Sequence, residues 1–319
     1  MIISTTPLRV SLFGGSTDYF NYYSQYKSLL IGFAIKKYIY TTLRYTPQIF
    51  DFHSSIHYSQ SEYVDSNDDI KHRAIKGVLH YKNIIDGIEL VHLADAPGKS
   101  GLGSSSSFIV GMLNCINQLL HNEPTSKINL ATECIHIEQN ILKETSGIQD
   151  AIWAAFSGIK SIEIDKDGTF KVKPLPVCEE FINKFHNSLV LFYTGSPRDS
   201  FEVAKSHDNK EAEQYKICIH QIAKEALSAF YQEDIEQVGK LLDESWQQKR
   251  QTSSLISTPH IDDIYTQVKR HGGHAKILGS GGGGYMLCLT PDKRRLLKNI
   301  DLINVDFSFD YEGSKIVLP

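Results

Sequence analysis

Cysteine is scarce and poorly placed for crosslinking. The 319 residues contain five, Cys115, Cys134, Cys178, Cys218 and Cys288, an odd number at wide spacing without a C-x-x-C pair. That pattern argues against a disulfide framework and a cysteine-held zinc site, and it fits a reducing cytosol. An excess of positive charge is also missing. Lys and Arg number 33 against 37 Asp and Glu, a formal charge of −4, so no global field is available to hold a nucleic-acid backbone. The first residues, Met1 to Pro7, carry no basic segment, and the nearby apolar run Leu29 to Ile35 is far too short to span a bilayer. Neither secretion, membrane insertion nor a nucleic-acid partner is expected, and the expected location is cytoplasmic. No segment repeats and none is low in complexity.

What is present is enough to fold. A hydrophobic content of 41% supplies real cores, and the length suggests two domains. Short β-like runs (Leu29–Ile35, Tyr38–Tyr45, Ile88–Leu93) mix with helical patterns without regular βαβ alternation, so the expected class is α+β. From Ser104 onward Phe108, Ile109, Met112, Leu113, Ile116, Leu119 and Leu120 recur at helical spacing. Asp165 to Gly168 reads as a hairpin turn, and the Pro174/Pro176 stretch precedes the expected boundary between domains 1–180 and 181–319. A strand at Leu189–Tyr193 and helices around Ile219–Tyr231, Ile235–Trp246 and Ile261–Val268 follow.

Three segments carry chemistry. Pro97-Gly98-Lys99-Ser100-Gly101-Leu102-Gly103-Ser104-Ser105-Ser106-Ser107 runs through a glycine turn into the start of the apolar helix. Glycines let backbone N–H groups converge on an anion, the helix dipole adds positive potential, and serine hydroxyls can donate to phosphate or ligate a cation. The plainer alternative is a serine-capped helix after a flexible loop. A Walker A loop is excluded, because Leu93 stands where its first glycine is required, and Gly101-x-Gly103 lacks the third glycine of the dinucleotide fingerprint.

Within the helical stretch Leu130–Lys143, Glu138 falls among Cys134, Ile135, Ile141 and Leu142 on the apolar face. A carboxylate there needs either a metal or a basic partner. Asp150, in Ser146-Gly147-Ile148-Gln149-Asp150, either caps a helix or stands at the mouth of a phosphate-bearing cleft to orient or deprotonate a hydroxyl. The glycine cluster Gly279-Ser280-Gly281-Gly282-Gly283-Gly284 lies between the β-like runs Ala275–Leu278 and Tyr285–Leu289, where close backbone approach explains it better than a linker. The pair His53/His57 has no further ligand cluster nearby and reads as surface or core.

Taken together these segments resemble the GHMP kinases. Pro7-Leu8-Arg9-Val10-Ser11-Leu12-Phe13-Gly14-Gly15-Ser16-Thr17-Asp18 looks like the first family motif, Pro97 to Ser107 like the second and Lys276 to Tyr285 like the third. The resemblance implies an N-terminal domain like ribosomal protein S5 domain 2, a ferredoxin-like C-terminal domain, and ATP and Mg2+ in the cleft between them. It implies that Pro97, Gly98, Lys99, Ser100, Gly101, Leu102, Gly103, Ser104, Ser105 and Ser106 wrap the triphosphate. Ser105 and Glu138 match the magnesium-ligand positions, Asp150 the acid that activates the acceptor hydroxyl, and Arg9 the arginine beside the transferred phosphoryl group.

The Gly-Gly-x-Thr-Asp ending of the first motif resembles the branch of D-glycero-D-manno-heptose 7-phosphate kinase and fucokinase, which implies phosphorylation of a C1 hydroxyl. On that resemblance the sugar would be held by Gly14, Gly15, Ser16, Thr17, Asp18, Asp150, Thr194, Gly195, Arg198, Gly281, Gly282 and Gly283. Departures from the branch pattern fall close to the sugar and phosphate positions: Ser16 replaces a third glycine, Ala151 a common Gln, and Ser106-Ser107 the usual Ser-Ala ending. They keep open an anomeric kinase for fucose, mannose or an N-acetylhexosamine, and also a non-catalytic sensor of sugar and nucleotide. A monomer or a homodimer is expected.

Overall fold

The computed structural model describes residues 1–195 and 212–318. The first half is built on one eight-stranded sheet. Strands β1 (Ile2–Phe13) and β2 (Ser28–Tyr45) pair antiparallel along almost their whole length and form its spine. The two β-like runs expected at 29–35 and 38–45 are therefore one strand. The polar Lys36-Lys37 step between them marks a change of partner rather than an end. Ser28 to Phe33 pairs with β6 (Ile159–Ile164), whereas Ile39 to Tyr45 pairs with β5 (Ile88–Ala94). Strands β3 (Ser54–His57) and β4 (Ser61–Val64) extend the β5 side, and β7 (Phe170–Pro174) closes the expected hairpin with β6. His57 of β3 meets Ser61 through Nδ1 at 2.9 Å.

Helices α1 (Phe20–Tyr26) and α2 (Arg73–Tyr81) precede the helical layer of α3 (Ser104–His121), α4 (Lys127–His136) and α5 (Gln149–Phe156). Helix α3 lies on β1 and β2, and α5 packs beside it. Phe108, Ile109, Met112, Leu113 and Ile116 of α3 are all buried, as the helical spacing requires, and Trp153 of α5 is completely enclosed.

After α6 (Glu179–Ser188), the second half contributes β8 (Leu189–Tyr193), α7 (Glu213–Tyr231), α8 (Ile235–Gln251), α9 (Pro259–Arg270), β9 (His274–Ile277), β10 (Tyr285–Leu289), α10 (Lys293–Asn299) and β11 (Ile303–Asn304). The strands form an antiparallel sheet in the order β11-β8-β10-β9. This is the split β-α-β order of a ferredoxin-like unit, as expected. Its own core centres on Trp246, Phe192, Ile264 and Met286.

The chain then returns. Strand β12 (Lys315–Leu318) pairs antiparallel with β1 at the edge of the first sheet. Phe307 and Phe309 pack on Phe33 of β2, and Asp310 accepts the Tyr38 hydroxyl at 2.8 Å and the backbone N–H of Gly313 at 2.9 Å. The last residues, placed in 181–319 by the sequence reading, are thus built into the sheet of the first half. No helix among the described residues is long and apolar enough to cross a membrane.

Candidate active site

Helix α3 starts from a glycine, not a serine. Its N-cap is Gly103 in the left-handed region (φ +75°), with no side-chain capping bond. The hydroxyls of Ser104 and Ser105 are therefore not consumed in capping, and the simple serine-cap alternative does not describe this terminus. Pro97 shapes the loop by accepting the Ser100 hydroxyl at 2.6 Å.

The two glycine loops interlock. A Cβ on Gly101 would lie 2.6 Å from the Leu278 carbonyl oxygen, and one on Gly284 would lie 2.1 Å from that of Ser100. Side chains at these places would drive the loops apart. The contact brings the end of β9 onto the start of α3 and creates one cavity of about 690 Å3 between the halves.

Arg9 and Asp150 face each other across this cavity. Arg9 projects from β1, and Asp150 lies in the first turn of α5, one residue past Gln149. The pair forms a two-pronged ion pair, Nε to Oδ1 at 2.8 Å and Nη2 to Oδ2 at 2.6 Å, while Nη1 of Arg9 donates to the carbonyl of Gly101. The arginine side chain is 5% exposed and the aspartate 26%. One guanidinium thus ties the phosphate-type loop to the carboxylate, and Asp150 does not cap the helix.

Asp18 lies deeper. Its carboxylate accepts the Gln149 side-chain amide at 3.0 Å and the Gln149 backbone N–H at 3.3 Å. Burial, and then repulsion from Asp150, raise its pKa to about 6. Gly147 makes room for it, since a Cβ there would sit 1.9 Å from Asp18 Oδ2.

Glu138 comes from an irregularity. The expected helix 130–143 is α4 followed by a π-helical turn, Ile137–Ile141, closed by Leu142 N–H on the Ile137 carbonyl at 2.8 Å. Such insertions rotate side chains off the regular helical face and recur at functional sites. Here the turn buries Glu138, whose Oε1 accepts the Ser106 hydroxyl at 2.5 Å. Of the helix-start serines it is Ser106 that meets Glu138, which also accepts the Ser146 hydroxyl at 3.5 Å, whereas Ser105, the residue matched to the metal, is exposed on the cavity wall. Burial pushes Glu138 up to about 8, and no basic side chain among the described residues pairs with it. A buried carboxylate beside serine hydroxyls is a hard-oxygen donor set, the kind that suits Mg2+.

The cavity collects some of the expected residues and leaves out others. Lining it are Arg9, Gly15, Ser16, Asp18, Asp150, Lys99, Gly101, Gly103, Ser104, Ser105 and Ser106. Ser100 and Leu102 are buried behind the loop, whereas Pro97 and Gly98 are exposed and do not line the cavity. Gly14 and Thr17 build the turn beneath Asp18, Thr17 donating to the Gly14 carbonyl at 2.7 Å. Gly281, Gly282 and Gly283 are buried off the cavity. The Gly282 N–H bonds the Ile256 carbonyl at 2.8 Å, and it is Gly279 and Ser280 that reach the cavity wall. Thr194 braces the loop by donating to the Gly284 carbonyl at 3.0 Å, with Gly195 exposed beyond it, so neither lines the cavity. Arg198 lies outside the described residues.

Polar lining residues that were not anticipated as site residues include Gln149, Arg73, Glu144 and Lys249, and Lys276, the first residue of the third motif, joins them. Lys276 of β9 donates to the Leu12 carbonyl at 2.6 Å, and Lys249 of α8 donates to that of Gly279. Burial lowers Lys249 to about 8 and Lys276 well below the usual lysine range.

Two family models match this architecture. GHMP kinases N terminal domain covers residues 70–158 and GHMP kinases C terminal covers 226–299, together just over half of the chain. The chain belongs to the GHMP kinases. Among its relatives, a D-glycero-alpha-D-manno-heptose 7-phosphate kinase of Campylobacter jejuni is 27% identical, the match spanning 98% of each chain. The crystal structure of a D-glycero-D-manno-heptose 1-phosphate kinase from Bacteroides thetaiotaomicron superposes with TM-score 0.81 at 22% identity, over 100% of this chain and 99% of the other. A putative sugar kinase from Campylobacter jejuni superposes with TM-score 0.76 at 26% identity, over 99% and 97%.

Proposed function

We propose that this chain is a cytoplasmic ATP-dependent sugar kinase that phosphorylates the anomeric hydroxyl of a phosphorylated heptose, D-glycero-D-manno-heptose 7-phosphate, to the 1,7-bisphosphate. The observation that carries the reading is the Arg9–Asp150 fork, set on the same cavity as the loop and helix terminus formed by Gly101 to Ser106. The heptose follows from the Campylobacter jejuni relative, which matches along nearly the full length of both chains. The retained Arg9, Glu138 and Asp150 speak against a non-catalytic sensor.

The residues divide the work. The N–H groups of the Gly101–Ser106 loop and the α3 terminus bind the triphosphate. Glu138, with Ser105 or Ser106, would hold a magnesium ion, which when bound offsets charge on the β- and γ-phosphates. Asp18, fixed by Gln149, accepts hydrogen bonds from sugar hydroxyls. Asp150 orients the C1 hydroxyl and takes its proton. The hydroxyl oxygen then bonds to the γ-phosphorus as the bond to the bridging oxygen breaks, and ADP departs with that electron pair. Arg9 fixes the Asp150 carboxylate and places positive charge beside the equatorial oxygens in flight.

The direct test is 31P NMR on the full chain incubated with ATP, Mg2+ and heptose 7-phosphate, beside fucose, mannose, galactose and N-acetylhexosamines. A new anomeric phosphate ester on the heptose alone is expected. ATP hydrolysis that no sugar stimulates would reject the assignment.

A further inference from the structure

The cavity holds more positive charge than the groups assigned so far require. Lys249 and Lys276 reach it from the second half of the chain and are 6% and 4% exposed. Each gives one N–H to a backbone carbonyl, which leaves an ammonium two further donors. Among the described residues neither forms an ion pair, and the guanidinium that acts on both, Arg9, is engaged with Asp150. The three cations feel one another: after burial itself, Arg9 depresses Lys249, which Asp18 and Asp150 raise in part, and Lys249 and then Arg9 depress Lys276, which no carboxylate raises. Buried like charges packed together are costly unless an anion shares the space.

Their supports explain how they come together. Gly279, whose carbonyl takes Lys249, packs on Gly101, whose carbonyl takes Arg9. Lys276 is held to β1 through Leu12, three residues beyond Arg9. The cations therefore converge where the two glycine loops cross, beside Asp150. Donors from both halves arranged this way suit a tetrahedral dianion with three peripheral oxygens.

We propose that Lys249 and Lys276, together with Arg9, form a phosphate-binding site that spans the two halves of the chain and receives a phosphoryl group next to Asp150. The chemistry is that of a phosphate monoester dianion or a terminal phosphoryl group. It has two sources, the γ-phosphoryl group of ATP or the phosphate already on the acceptor sugar. The identity of that group rests on the kinase reading, whereas phosphate binding itself does not.

The test uses the full chain and the variants K249M, K276M, K249R and K276R. Titration calorimetry with inorganic phosphate should show each methionine variant weakened about 10–100-fold, the scale of one lost charge-assisted contact. The arginine variants, which keep the charge, should stay within about threefold of wild type on the same scale. Thermal melts establish which methionine variants are folded, because each removes a buried charge but also the hydrogen bond to the Gly279 or Leu12 carbonyl. Should a methionine variant unfold, the arginine variants decide: phosphate affinity lost in them as well as in any folded methionine variant would overturn the site. Unchanged phosphate affinity in both methionine variants, or no saturable binding by wild type, would also overturn it. Parallel titrations with AMP-PNP and with heptose 7-phosphate separate the sources, since only the ligand whose phosphate uses the lysines should weaken. Wild-type phosphate binding that depends on the lysines, without sugar phosphorylation by 31P NMR, would reject the kinase reading and keep the site.

Discussion

Replacing Asp150 with asparagine isolates the chemistry from the architecture. Asparagine matches the shape of aspartate and keeps one oxygen, so one prong of the Arg9 fork survives while the other faces an amide that donates. Removing one partner of a fully buried pair costs about 3–5 kcal/mol. Here Asp150 is 26% exposed, Arg9 retains the Gly101 carbonyl, and one hydrogen bond persists, so the loss of stability should be about 1–2 kcal/mol. Catalysis should suffer more. An amide cannot accept the acceptor's proton, and loss of a positioned general base lowers turnover about 10²–10⁴-fold. The nucleotide is bound by the loop and helix terminus, so its affinity should stay within about threefold of wild type, well under 1 kcal/mol. The assay is a coupled measurement of kcat with heptose 7-phosphate, together with calorimetric titration of AMP-PNP and a thermal melt. Turnover within tenfold of wild type in a folded, nucleotide-binding variant would refute the role given to the carboxylate.

Further expectations follow from the same geometry. Asp18 holds its proton in the folded chain up to about pH 6, against an ordinary aspartate value of 3.8 in the unfolded state, so its contribution to stability falls as pH rises from about 4 to about 6. The ionised form accepts sugar hydroxyls, hence KM for the sugar should rise as pH drops below about 6, and D18N should abolish that inflection in a KM–pH profile. Glu138→Gln retains an acceptor for Ser106 and resembles the neutral form that Glu138 keeps up to about pH 8 in the ligand-free chain, but it cannot supply a carboxylate to a cation. It should leave the ligand-free melting temperature equal or higher while lowering kcat about 10²-fold or more, and a turnover equal to wild type at limiting Mg2+ would contradict the donor set. Gly284→Ala places a Cβ 2.1 Å from the Ser100 carbonyl oxygen at φ +93°, and urea unfolding should register a loss of about 2 kcal/mol or more.

Much of this site was legible because its residues contradict their surroundings. Glycines crowded between strands, serines at a helix start and a glutamate on an apolar face are each costly without a purpose, and all of them meet at or behind the cavity. The same logic, applied further, reaches the lysines. Lys249 stands three residues after Trp246 and seven after Leu242 on the buried face of α8, and Lys276 sits inside the wholly buried run Ala275–Leu278. What sequence spacing could not supply was geometry that depends on distant partners. The π-helical turn at Ile137–Ile141, which a period of 3.6 cannot anticipate, sets Glu138 against the Ser106 hydroxyl. Likewise Gly281 and Gly282 read as sugar contacts but meet Ile256, a residue more than twenty positions away, by packing and by a backbone hydrogen bond. The strand break expected at Lys36-Lys37 fails for a similar reason: β2 continues because two different strands, β6 and β5, wait on either side of it.

The pairing of β12 with β1 has a consequence for biosynthesis. Strand β1 finds one of its two neighbours only when Lys315 to Leu318 have been made. Cleaving the polypeptide near residue 180 should therefore yield an amino-terminal fragment with an unprotected strand edge, prone to self-association, rather than an autonomous nucleotide-binding module.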